Sequence, residues 1–172
     1  MSATTQEQAR ELVTSAFGFV PNLMSAMIEG NPDVAAAYLA ASDVMSKSVL
    51  TAQEQQIVML AASAYNDCHY CTAAHRTAGK AMGVTQEDLD AINTLRLPQD
   101  PRLKALVEAT WALQEQGGWV SESSLSVTRE ELFALVALVG LKTITNFINH
   151  IVGTEVDAPF QAQATRARPQ AA

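Results

Sequence analysis

The sequence predicts an all-α protein, a compact multi-helix domain with a dithiol at the start of one helix. Three observations carry that expectation. Helix-capping signatures recur along the chain, and the apolar residues between them return at intervals of three and four. No stretch sustains the period-two alternation, bounded by turn signals, that marks a half-buried strand, so essentially no sheet is expected.

In chain order, helices are expected near 5–16 and 22–29. Asn31-Pro32 reads as an N-cap followed by proline at the first helical position and opens a helix over 32–47. Thr51-Ala-Gln-Glu54 fits a capping box, in which side chains satisfy the free amides of the first turn, and opens 51–65. Within it Ile57, Leu60, Ala61 and Ala64 form one apolar stripe. Asp67 is a good N-cap for 68–82, which Gly83 closes, and 85–93 follows. Asp100-Pro101 repeats the Asn31-Pro32 pattern and opens 101–116, closed by Gly117-Gly118. A second capping box, Thr128-Arg-Glu-Glu131, opens 129–152, where Gly140 is a possible break and Gly153 a C-cap. Residues 1–160 read as a single helical domain. The segment 161–172 lacks large apolar residues and is expected to be a loose tail.

Composition bounds the function. Of 172 residues 48% are apolar, enough for a hydrophobic core in one domain. Only 17% are charged, against roughly 25% in an ordinary soluble domain. A chain so short of charges is expected to cover part of its surface with copies of itself, as a homo-oligomer. A net charge of −7 argues against nucleic-acid partners and anionic membrane surfaces, both of which need clustered Lys and Arg. The start, MSATTQEQAR, shows no secretion pattern, and the apolar run Leu132–Leu141 falls short of the ~20 residues a bilayer requires. That run reads as core or subunit interface. A cytoplasmic location is expected. Two cysteines three apart, in a compartment that keeps thiols reduced, point to redox or metal chemistry rather than a structural staple.

The chemistry concentrates in Asn66-Asp67-Cys68-His69-Tyr70-Cys71-Thr72-Ala73-Ala74-His75. At roughly 100° per residue, Cys71 and His75 lie about 60° and 20° around the helix from Cys68, so all three share one face. Residues three apart on a helix stand ~5–6 Å apart, a range in which a disulfide closes with little backbone motion. The helix N-terminus favours thiolate over thiol, and His75 could take the thiol proton or pair with the thiolate. A thiolate attacks peroxide to give a sulfenic acid, which a neighbouring thiol converts to a disulfide.

The segment resembles the C-x-x-C-x-x-x-H motif of AhpD-like alkylhydroperoxidases, in the carboxymuconolactone decarboxylase superfamily. Phe17-Gly-Phe-Val-Pro-Asn22, Asn31-Pro32, Glu54-Gln-Gln-Ile-Val-Met-Leu60 and Asn149-His150-Ile-Val-Gly-Thr154 are similar to further blocks of that family, so the likeness spans roughly 15–157. It implies an all-α fold assembling as trimers or hexamers, with Cys71 peroxidatic, Cys68 resolving and His75 the family histidine. It implies no cofactor, a peroxide substrate, and an external thiol or lipoyl-type reductant. The family's relay glutamate falls on Gln56, which carries no charge. Glu54, about 200° around the helix from Gln56, is a second candidate for that role, although a capping acid explains it as well. Some relatives have a histidine just before the second cysteine; here Tyr70 stands there, with His69 one residue earlier. On this reading Gln56→Glu would favour a thiolate–imidazolium pair.

Three other readings stand beside the peroxidase. Cys68, Cys71 and His75 could serve a dithiol–disulfide oxidoreductase or redox sensor. They could be inert residues of an oligomeric binding module. They could also ligate zinc, although a structural zinc wants four ligands and one straight helix does not surround a metal. Lactone decarboxylation fits less well, because the decarboxylases generally lack the cysteine pair. His150 reads as a hydrogen-bonded structural residue, and Trp111 and Trp119 as packing residues.

Overall fold

A computed structural model describes residues 4–165, which form eight α-helices and two short 3-10 segments and, among the described residues, no strand. The helices are α1 (Gln6–Phe17), α2 (Asn22–Gly30), α3 (Pro32–Met45), α4 (Ala52–Tyr65), α5 (His69–Ala81), α6 (Gln86–Asn93), α7 (Pro101–Glu115) and α8 (Arg129–Val152). A 3-10 turn, Glu122–Ser124, precedes α8, and a 3-10 helix, Ala158–Gln163, follows it.

The capping chemistry acts as read. Thr51 and Thr128 accept from the amides of Glu54 and Glu131, whose carboxylates accept in return from the threonine amides. Asn31 and Asp100 cap the two helices that begin with proline. A third capping box, Thr5 with Gln8, opens α1.

Two expectations about boundaries change. Asp67 takes a left-handed conformation (φ 55°) that closes the end of α4, so Cys68, rather than Asp67, becomes the N-cap of α5. Helix α8 does not break at Gly140. That glycine faces open space, while Leu135, Leu138 and Leu141 beside it are buried and hold the helix through it. Burying those leucines outweighs the ~1 kcal/mol cost of a mid-helix glycine.

Helix α4 lies at the centre. Every residue from Ile57 to Ala64 except Met59 is buried, and the helix packs against α5, α6, α7 and α8. Helix α8 runs along α4 and α7 and also touches α2 and α3, so the faces of α4, α5 and α8 converge in the interior. By length and composition alone α8 could cross a membrane, but its inner face carries Lys142, Thr145, Asn146 and Asn149, all buried.

The chain after α8 folds back. Gln163 is buried, and its carbonyl accepts a 2.7 Å hydrogen bond from the buried Arg76 of α5. Arg76 also pairs with Asp90 and with Thr165. Residues 161–165 of the expected loose tail are therefore tied to α5, and 166–172 lie outside the described residues. Trp111 packs, donating to the Ala61 carbonyl at 3.0 Å. Trp119 does not: it follows the left-handed Gly117-Gly118 turn at the surface and is 90% exposed. His150 is also exposed, stacked on Phe147 instead of hydrogen-bonded in the interior.

Candidate active site

The left-handed turn at Asp67 sets the site. It lets the Cys68 amide bond the Ser63 carbonyl at 2.9 Å, so α5 starts against the end of α4 with Cys68 as its cap and Cys71 in its first turn. The Tyr70 side chain is anchored to a different segment. Its hydroxyl donates to Asp157 at 2.5 Å, its ring meets Phe160 edge-on, and Asp157 also accepts from the Asn22 amide. This fixes the first turn of α5 to α2 and to the chain after α8.

Both sulfurs are buried, at 1% and 2% exposure. The Asn149 amide reaches both, 3.2 Å from Sγ of Cys71 and 3.6 Å from Sγ of Cys68. Thr145 Oγ1 and Lys142 Nζ each stand 3.9 Å from Sγ of Cys71. The two thiols are unequal. Cys68 is pushed up because its thiol donates to Cys71 and because it is buried. Burial also opposes the Cys71 thiolate, but the Cys68 hydrogen bond, the Lys142 charge and the Thr145 and Asn146 side chains outweigh it and hold Cys71 below the usual thiol value. Of the two, Cys71 is the thiol whose ionisation its surroundings favour, and Cys68 the one whose proton they retain.

His75 is half-buried, yet both its ring nitrogens face protein. Nε2 lies 2.7 Å from Lys142 Nζ and Nδ1 2.9 Å from Gln56 Oε1. An ammonium only donates, so Nε2 must accept and Nδ1 must carry the ring proton, which goes to the Gln56 carbonyl. Burial, and then the Lys142 charge, hold the His75 pKa well below its ordinary value, so the ring is neutral. The side chain of Lys142 is almost completely buried; burial works against its charge, but Cys71, Tyr38 and Cys68 together outweigh that and keep its pKa high.

Of the residues singled out from the sequence, Cys68, Cys71, His75 and Gln56 come together. Glu54 does not join them: it is turned to Thr51 and to Arg102 of α7, at 2.6 Å. The expected direct pairing of His75 with a thiol is replaced by a relayed one. The ring shares the cysteine face but sits a turn further on, and Lys142 from α8 fills the space between. His69 is half-buried in the first turn of α5, its carbonyl accepting from Thr72. Sequence reasoning missed Lys142, Thr145, Asn146 and the role of Asn149. Their signal was present: four polar residues at i, i+3, i+4 and i+7, on one face of an apolar helix. Among the described residues no group of three His, Cys, Asp or Glu could hold a metal ion.

The Carboxymuconolactone decarboxylase family model matches residues 32–110. No curated protein matches the chain. Among solved structures, an alkylhydroperoxidase AhpD core, a peroxidase-related protein from Ralstonia eutropha JMP134, is 22% identical with a TM-score of 0.77, over 90% of this chain and 86% of that one. A peroxidase-related protein from Silicibacter sp. TM1040 is 18% identical with a TM-score of 0.74, over 92% and 88%. The debrominase Bmp8 is 14% identical with a TM-score of 0.69, over 95% and 91%. These likenesses establish the AhpD core fold.

Proposed function

We propose that this AhpD-like chain of the carboxymuconolactone decarboxylase superfamily is a thiol-dependent peroxidase. Cys71 attacks the peroxide and Cys68 closes the disulfide. The observation that carries the reading is the inequality of the two sulfurs. Cys71 collects the Asn149 amide, the Cys68 thiol and the Lys142 charge, whereas Cys68 keeps its proton. A peroxidase needs one nucleophilic thiolate and one protonated neighbour within disulfide reach. In the first step the Cys71 thiolate displaces alkoxide from ROOH, forming a sulfenic acid. In the second, Cys68 displaces water from that acid. An external thiol or lipoyl-type dithiol then restores the pair.

His75 acts through Lys142, whose ammonium it orients, and Gln56 holds the ring by accepting from Nδ1. Self-association belongs to the same proposal. The outer face of α8 exposes Phe133, Val136, Ile144, Phe147 and Ile151 around Gly140, an apolar stripe suited to a second copy of the chain.

The test is peroxide consumption with a panel of thiol and lipoyl reductants. Cys71→Ser is expected to abolish consumption. Cys68→Ser is expected to allow one turnover and leave a sulfenic acid on Cys71. Disulfide exchange without peroxide consumption would make the protein a dithiol oxidoreductase instead. A sulfenic acid formed by Cys71→Ser would reverse the two roles.

A further inference from the structure

Lys142 is a buried cation with an unusual set of neighbours. From α5 it faces Cys68, Cys71 and His75, from α4 Gln56 by way of His75, and from α3 Tyr38. Its own helix adds Thr145, Asn146 and Asn149. Among the described residues it forms no ion pair with Asp or Glu. The negative charge opposite it is the Cys71 thiolate, which the reaction destroys. A buried ammonium stripped of its counter-charge is strongly disfavoured.

We propose that Lys142 carries one of the two protons of the reaction, giving it to the leaving alkoxide as the Cys71 thiolate is consumed. The inference rests on the dithiol cycle above. Reducing a hydroperoxide to an alcohol and water takes two electrons and two protons. The reduced site holds both protons, one on Cys68 and one on Lys142. In the first step the S–O bond forms, the O–O bond breaks, and RO⁻ takes the Lys142 proton to leave as ROH. The thiolate–ammonium pair becomes a neutral sulfenic acid and a neutral amine. In the second step Cys68–SH and Cys71–SOH give the disulfide and water, and again no charge is left behind. An incoming dithiol returns two electrons and two protons, one to Cys68 and one to Lys142. No stage leaves an unpaired charge buried in the site.

The proton count is measurable without peroxide. Disulfide formation is equilibrated against a dithiol buffer whose own protons are known, across the pH range in which ultraviolet absorbance shows a thiolate in the reduced protein. If Lys142 loses its proton on oxidation, the constant for the protein's own half-reaction, with the buffer's protons subtracted, changes hundredfold per pH unit. If Lys142 stays charged it changes tenfold, about 30 mV for a two-electron couple, and the proposal is overturned. Lys142→Arg separates charge from proton, because a guanidinium cannot give up a proton in a protein. This variant is expected to keep the Cys71 thiolate but show only the tenfold slope, and a hundredfold slope in it would also overturn the proposal. Should the arginine fail to fit, the wild-type slope decides alone. A protein that shows the hundredfold slope yet consumes no peroxide would refute the peroxidase reading and leave the proton count standing.

Discussion

Gln56 faces His75 on the side of the ring opposite Lys142. A carboxylate there would sit against Nδ1, with only the imidazole between it and Lys142. It would compete with Cys71 for the buried ammonium and repel the thiolate. Gln56→Glu is therefore expected to raise the Cys71 pKa and move the acidic limb of the pH–rate profile to higher pH. Thiolate absorbance against pH checks it. The sequence alone, which sets His75 directly against the thiol, leads to the opposite sign; Lys142 between them reverses it. Asn149 permits a second measurement. Its amide bonds both sulfurs, and a hydrogen bond to a charged group contributes roughly 1.5–3 kcal/mol. Asn149→Leu is expected to raise the Cys71 pKa by roughly one to two units, at 1.36 kcal/mol per unit. Peroxide consumption should then fall more below neutral pH than above it.

Between helices, Arg102 of α7 ties together the two capping boxes that open α4 and α8, through Glu54 and Glu131 at 2.6 Å each. Both acids are held below their ordinary values: Glu54 by Arg102 and the Thr51 cap against the opposing effect of burial, Glu131 by Arg102 first and then the Thr128 cap. Carboxyls with depressed pKa values stabilise the fold fully above the ordinary carboxylate range, and the contribution disappears as pH falls through the depressed values. Glu54→Gln is expected to cost about 1 kcal/mol at neutral pH, a loss that shrinks in acid, while peroxide consumption stays near wild type. Thermal melts from neutral pH down to the carboxylate range test the first part, and initial rates the second. The helices and their caps could be read from the sequence because capping is local: Thr51, Asn31 and Asp100 bond amides two or three residues away. Cys68, Cys71 and His75 were readable for the same reason, being one helix face. Lys142 was not, because its meaning depends on α8 packing against α5, a contact between residues 71 apart. Glu54 and Gln56 could be ranked by helical phase alone, yet only the fold shows that Glu54 faces Arg102.

For the molecule as a whole, α8 is a helix with two opposed faces. The inner face of α8 supplies the polar stripe of the site, and its outer face presents Phe147 and Ile151, 54% and 83% exposed. If this face pairs with a second copy as proposed, Ile151→Glu combined with Phe147→Glu is expected to sediment as a monomer where the parent protein does not, with the helical content kept. Both positions point away from the core, so the fold itself loses little. The depth of the sulfurs has a consequence at the bench. A sulfur with 2% of its surface open is hidden from reagents too bulky to enter the interior. Slim alkylators such as iodoacetamide should modify Cys71 quickly, whereas dye-linked maleimides must wait for the protein to open locally. A proteome-wide labelling survey with bulky probes would score this cysteine as unreactive, mistaking burial for a weak nucleophile.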